Sequence, residues 1–153
     1  MGNTYYQMYV QAVFAVKYRE ARLLKSFRHE MFAVMANIIN ESGCKALIVN
    51  GVEDHVHCLF GLKPSISVSE VMKNTKAKSS KWLNESGYLD CRFEWQRGFG
   101  CFSYSKSHVN RVYRYIENQE EHHRRKTFKK EYLQFLLENA VDFDPQYLFD
   151  EMI

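Results

Sequence analysis

The order of patterned segments along the chain predicts an α+β fold, an antiparallel β-sheet of ferredoxin-like type covered by α-helices. Three observations carry this prediction: apolar residues at alternate positions over 5–16, two helical stretches with their own start and stop signals, and a turn-linked pair of short strands over 44–62. With 153 residues, 46% of them hydrophobic and 15% aromatic, the chain can bury a real core, and residues 1–153 are expected to form a single domain.

Residues 5–16 read as a long strand, with Tyr6, Met8, Val10, Ala12, Phe14 and Val16 on one side of a period-two pattern. The first helix follows over 27–39, where Phe27, Met31, Val34, Met35, Ile38 and Ile39 recur at helical spacing before Gly43. Residues 44–50 and 55–62 predict two strands joined through Asn50-Gly51, and Pro64 ends the second. Ser67 and Glu70 form a capping box that opens a second helix with its stripe at Val68, Met72, Thr75, Ser79 and Trp82, closed by Gly87. Residues 92–104 look β-like, and Gly98 and Gly100 suggest a bend where another backbone or a ligand approaches. A helix capped by Ser107 should run through 109–123, and another from about Thr127 to Asn139 precedes an acidic C-terminal tail, 140–153.

Charge is unevenly spread. Residues 1–130 hold all 21 Lys and Arg against 12 acids, whereas 131–153 hold six acids and no Lys or Arg. A basic body suits a polyanionic partner. No stretch approaches the roughly 20 consecutive apolar residues of a membrane span, and the first ten residues lack the layout of a secretory signal. A soluble, cytoplasmic protein without a membrane partner is therefore expected. The four cysteines (Cys44, Cys58, Cys91, Cys101) are too scattered for a zinc knuckle or a disulfide framework, and reduced, mostly buried thiols are expected.

Chemistry concentrates in two places. His55 and His57 lie two apart on a predicted strand, so both imidazoles leave the same face and can meet one ion. The same spacing also fits two histidines on a partly solvated sheet face. Tyr115 and Gln119, four apart on a predicted helix, share one helical face. A nearby cation would activate the phenol, whose ordinary pKa is about 10, and Gln119 offers a neutral oxygen to the same ion; ordinary surface aromatics give the same pattern. Lys73, Lys76, Lys78 and Lys81 are spread as on any solvated helix, with one or two of them, Lys73 and Lys76, kept as phosphate contacts. Arg92 and Arg97 beside Trp95 and Phe99 suit stacking on unpaired bases, and the two rings equally suit a core. His122 and His123 read preferentially as cations near a helix C-terminus rather than as an extension of a metal site. No glycine-rich phosphate loop or Ser-His-Asp set is present.

Taken together and in this order, DHVHCLF, WQRGFGCFSYS and YIENQEEHHRRKTFKKEYLQFL resemble the small tyrosine transposases of the HUH superfamily, of the insertion sequence 200/605 type and its REP-associated relatives. The resemblance implies a ferredoxin-like or RRM-like domain that forms a homodimer, and action on single-stranded DNA bearing hairpins with Mg²⁺ or Mn²⁺. On the matching positions it implies that His55, His57 and Gln119 hold the metal and that Tyr115 attacks the scissile phosphorus, leaving a 5′-phosphotyrosine link and a free 3′-hydroxyl. Phe99 stands where relatives commonly carry tyrosine. Two other readings of the same residues are a non-catalytic or domesticated nucleic-acid-binding module and a phosphodiesterase that acts through activated water.

Overall fold

The computed structural model describes residues 2–18 and 21–144. Along them run β1 (Tyr9–Ala15), α1 (Arg28–Glu41), β2 (Lys45–Gly51), β3 (His55–Gly61), α2 (Val68–Ser86), β4 (Gly100–Tyr104), α3 (Lys106–Glu117), α4 (Gln119–His123) and α5 (Phe128–Glu138). The strands form one antiparallel sheet in the order β2-β3-β1-β4. The first six elements therefore make the βαββαβ unit of ferredoxin-like folds, and three further helices follow it.

Period-two alternation gives the sheet two different faces. Val10, Ala12 and Phe14 of β1, with Val56, Cys58 and Phe60 of β3, meet Met31, Met35 and Ile39 of α1 and Val71, Met72 and Leu83 of α2. Each fully buried Val, Leu, Ile, Phe or Met side chain among them contributes about 1.5–3 kcal/mol of hydrophobic stabilisation. The intervening residues point the other way, where Val13 and Ala15 meet Phe128 and Leu136 of α5, and Leu59 meets Val112 and Ile116 of α3. His55 and His57 belong to this second face, fully buried beneath the C-terminal helices.

Local signals placed several boundaries correctly. The Ser67 hydroxyl accepts from the Glu70 amide at 3.1 Å, and Gly87 ends α2 in the left-handed region at φ 81°. Thr127 caps α5 in the same way through the Lys130 amide.

Others shifted for tertiary reasons. β1 begins at Tyr9 rather than residue 5, because both neighbouring ladders end there, at Gly61 and Tyr104; Tyr5 and Tyr6 are consequently exposed. Only the last five residues of 92–104 form a strand. Before them Phe93 and Trp95 turn into the core, Trp95 packing edge-on against Phe14 at 4.8 Å and donating its indole N–H to Ser79 Oγ at 3.0 Å. Trp95 is thus a core residue. Gly98, at φ 79°, then turns the chain into β4, and the close approach expected at the glycines is made by Tyr132 of α5, whose hydroxyl would lie 2.9 Å from a Cβ at Gly100. The helix expected over 109–123 starts at Lys106, behind Ser105 rather than Ser107, and divides into α3 and α4 at Asn118.

Cys44 and Cys58 are buried whereas Cys91 and Cys101 are exposed. Among the described residues no helix is long and apolar enough to cross a membrane. Residues 140–144 carry no helix or strand, and the remainder of the acidic tail lies outside the described residues.

Candidate active site

β3 delivers both histidines from one face, and strand β1 beside it supplies Gln11, the lone polar side chain inside YVQAVFA. Gln11 Oε1 lies 2.7 Å from His57 Nδ1, and its amide nitrogen donates to the Tyr104 hydroxyl at 2.8 Å. Asp54, in the turn before β3, holds His55 Nδ1 at 2.7 Å. Each imidazole therefore has its Nδ1 tied back to an acceptor, which orients both Nε2 atoms toward the helices.

What they meet is Glu131 of α5. Its Oε1 lies 2.9 Å from His57 Nε2 and 3.2 Å from His55 Nε2, with His123 Nε2 of α4 also at 3.2 Å. Its second oxygen accepts hydrogen bonds from the Tyr115 hydroxyl and from the Gln119 amide, the latter at 3.3 Å. Gln119 Oε1 faces His55 Nε2 at 3.2 Å. The break at Asn118 means that Tyr115 and Gln119 do not share one continuous helix, yet both side chains reach the same carboxylate. Phe128 stacks on His55 at 4.3 Å, and Phe135 stands edge-on to Tyr115 at 5.7 Å, so the polar cluster has apolar walls.

Electrostatics follow from this enclosure. Burial alone would lower the pKa of His55, but the bonds and charges of Asp54 and Glu131 outweigh it and raise it to about 9. For His57 burial prevails over Glu131, and its pKa falls. Burial would raise Glu131, yet its contacts with His123, His55 and His57 hold the carboxyl far below the usual range. Asp54 is likewise held low by His55 against the effect of burial. Burial and the Glu131 charge together push the Tyr115 phenol well above its ordinary value. Without a bound cation, Tyr115 is a protonated phenol beside an anion.

Three imidazole nitrogens and a carboxylate oxygen, all within 4.8 Å of one another, form a donor set suited to a divalent metal ion. Two clefts flank Tyr115. One, of about 440 Å³, is lined by Tyr104, His108, Arg111, Glu131 and Phe135; the other, of about 290 Å³, by Glu121, His122, Arg125 and Lys126.

The structure thus brings His55, His57, Tyr115 and Gln119 together within one chain. It does not bring Lys73, Lys76, Arg92 or Arg97 to them. Lys73, Lys76 and Arg92 belong to α2 and the loop after it, and α2 packs on the opposite face of the sheet, whereas Arg97 borders a small cavity with Phe128 and Tyr132 of α5, beside the site but not in contact with its donors. Lys73, Arg92 and Arg97 are exposed. Lys76 is spent on the loop, donating to the carbonyls of Gln96 and Gly98 and lying over the Phe14 ring at 5.0 Å, and burial lowers its pKa to about 8.

Glu131, Gln11 and Asp54 escaped the reading of the sequence, and His123, expected to act as a cation near a helix C-terminus, instead joins the cluster around Glu131. Glu131 had a signal, an acid at the i+3 position between Phe128 and Phe135 on the apolar side of its helix. Gln11 had another, as a polar residue within an apolar strand. For His123 the sequence offered both roles, and nothing local says that its ring turns inward.

A family model described as "Transposase IS200 like" matches residues 4–119. The transposase for insertion sequence element IS200 of Salmonella typhimurium (strain LT2) is 27% identical over 124 residues, spanning 78% of this chain and 81% of that protein. Its counterpart from Salmonella typhi matches to the same extent. Among solved structures, a candidate transposase from Deinococcus radiodurans R1 superposes with a TM-score of 0.60 at 21% identity, covering 78% of this chain and 96% of that one. A REP-associated tyrosine transposase bound to a REP hairpin superposes with a TM-score of 0.58 at 14% identity, covering 80% and 74%. At such identities the two structures speak for the shared fold.

Proposed function

From the premise that the chain belongs to the IS200-like transposase family, we propose that it cuts and rejoins single-stranded DNA at hairpin-marked sites, with Tyr115 as nucleophile and a divalent cation held by His55, His57 and Gln119. The observation that carries this reading is the convergence of the Tyr115 hydroxyl, the two histidines and Gln119 on one carboxylate inside a single subunit. The homodimer that the family resemblance implies is, on this reading, not needed to assemble these donors.

The residues divide the work. Tyr115 lines both clefts, and Arg111 in one and Arg125 and Lys126 in the other would take the phosphates of a strand laid across them. Glu131 aligns the phenol by accepting its hydrogen bond. A bound Mg²⁺ or Mn²⁺ ion would withdraw charge from a phosphate oxygen and favour the phenolate. The Tyr115 oxygen bonds to phosphorus, the bond to the 3′-oxygen breaks, and that oxygen leaves with a proton as a 3′-hydroxyl. Attack of a 3′-hydroxyl on the resulting 5′-phosphotyrosine reverses the exchange and frees the tyrosine. Each step trades one phosphodiester for another, so no nucleotide cofactor is required. Lys73, Arg92 and Arg97 remain proposed contacts to DNA outside the reacting site.

The test is incubation with hairpin-bearing single strands and Mn²⁺ or Mg²⁺, followed by denaturing electrophoresis. A covalent protein–DNA adduct is expected in the wild type and absent from Tyr115→Phe. An adduct that persists in Tyr115→Phe refutes the assignment of the nucleophile. Metal-dependent cleavage without any adduct would mean hydrolysis by water, and salt-sensitive binding without cleavage would mean a binding module.

A further inference from the structure

We infer that His123 and Glu131 complete the ion site, joining His55, His57 and Gln119, so that three imidazoles and one carboxylate face the cation and favour a first-row transition ion over Mg²⁺. The inference rests on the metal-assisted reading above and deepens it.

The geometry comes first. Glu131 Oε1 is 2.9, 3.2 and 3.2 Å from the Nε2 atoms of His57, His55 and His123. Two donors on one ion, each about 2.0–2.1 Å from it, are separated by about 3.0 Å in octahedral and about 3.3 Å in tetrahedral coordination. The carboxylate oxygen thus already stands at ligand-to-ligand distance from all three nitrogens.

Second, His123 Nε2 is buried and has no hydrogen-bond partner. It is close to Glu131 Oε1 but not aligned with it, so the nitrogen is aimed into the cluster without a bond to satisfy it there. A buried polar atom left in this state calls for an explanation, and a bound ion is one of the usual ones.

Third, Asp54 and Gln11 take the Nδ1 positions of His55 and His57, which leaves Nε2 as the ligating atom in both rings. Glu131 is oriented in a parallel way. Tyr115 and Gln119 both donate to its Oε2, which turns Oε1 toward the imidazoles. The same carboxylate thereby connects the ion to the nucleophile. His123 and Glu131 both lie beyond residue 119, where the family match ends.

The donor chemistry sets the preference. Mg²⁺ favours oxygen ligands and keeps several waters, whereas imidazole suits the later first-row ions. A site with three nitrogens walled by Phe128 and Phe135 is poorly matched to Mg²⁺.

The test is titration of the full-length, chelator-treated protein with Co²⁺, followed by visible d–d absorption and with Mg²⁺ as competitor. Co²⁺ should bind at least tenfold more tightly than Mg²⁺. His123→Gln and Glu131→Gln should each weaken Co²⁺ binding tenfold or more and alter the band intensities. Thermal melts without metal identify any variant that does not fold; if Glu131→Gln is one, His123→Gln decides. Unchanged affinity and spectrum in the folded variants, with binding lost in His57→Ala, overturn this inference and leave the metal-assisted reading standing. Tighter Co²⁺ binding by Glu131→Gln also overturns it, since the carboxylate would then be competing with the ion. Mg²⁺ binding as tight as Co²⁺ overturns the stated preference. Failure of the wild type to bind either ion removes the metal-assisted reading itself.

Discussion

Replacing Gln11 with leucine isolates the orientation of His57. Gln11 is fully buried, and its side chain joins His57 Nδ1 at 2.7 Å to the Tyr104 hydroxyl at 2.8 Å. Leucine nearly preserves the volume but leaves the imidazole N–H without a partner in a closed site, at a cost of about 1–3 kcal/mol. For a chain of this size 1 kcal/mol corresponds to about 2–4 °C, so the metal-free melting temperature should fall by roughly 2–12 °C. The ring also loses the contact that fixes its tautomer, which typically costs 10–100-fold in metal affinity. At saturating metal a tenfold weaker Kd removes about 1.4 kcal/mol of ligand stabilisation. Thermal melts of both proteins with and without Mn²⁺ read the two effects separately. A metal-induced rise as large in Gln11→Leu as in the wild type would refute the claim that Gln11 orients a ligand.

Further outcomes follow from the same geometry. His55, with a pKa raised to about 9, contributes stability that is fully present below its unfolded value of about 6.5 and is lost as pH rises through 9. Metal must displace that proton, so affinity measured by calorimetric titration should climb with pH, by up to about tenfold per unit, and level off above 9. Asp54→Asn removes the largest of the influences that raise this pKa and should bring the plateau to lower pH; an unchanged profile would dissociate Asp54 from His55. Gly51→Ala places a Cβ 2.2 Å from the His55 carbonyl oxygen, where only backbone can yield. Overpacking of this kind costs about 1–3 kcal/mol, and the variant should melt lower and bind metal more weakly because the strained turn carries His55. Wild-type melting and metal affinity in that variant would show that the turn does not control the histidine.

By itself the sequence determined what short-range periodicity and capping encode. The two strands 44–50 and 55–62, the Ser67-capped helix ending at Gly87, and the Thr127-capped last helix all agree with the structure to within a residue or two. It also put His55 and His57 on one face of a strand, since that follows from the pleat alone. It could not say which face. Burial of both rings became decidable only when α1 and α2 took the side of Val56 and Cys58 and left the other to α3 and α5. The strand expected from residue 92 illustrates the same limit, because β-like composition described Phe93 and Trp95 equally well as core side chains, and Phe14 and Ser79 settled the matter. Glu131 lies 74 residues from His57 and reaches it only because α5 docks across the sheet. His123 belongs to α4, which starts afresh where Asn118, at φ −96° and ψ 25°, ends α3. Propensity and periodicity act over a turn or two of chain, whereas the meeting of β3, α4 and α5 is set by which apolar faces bury one another, and that long-range choice selected the donors around the histidines.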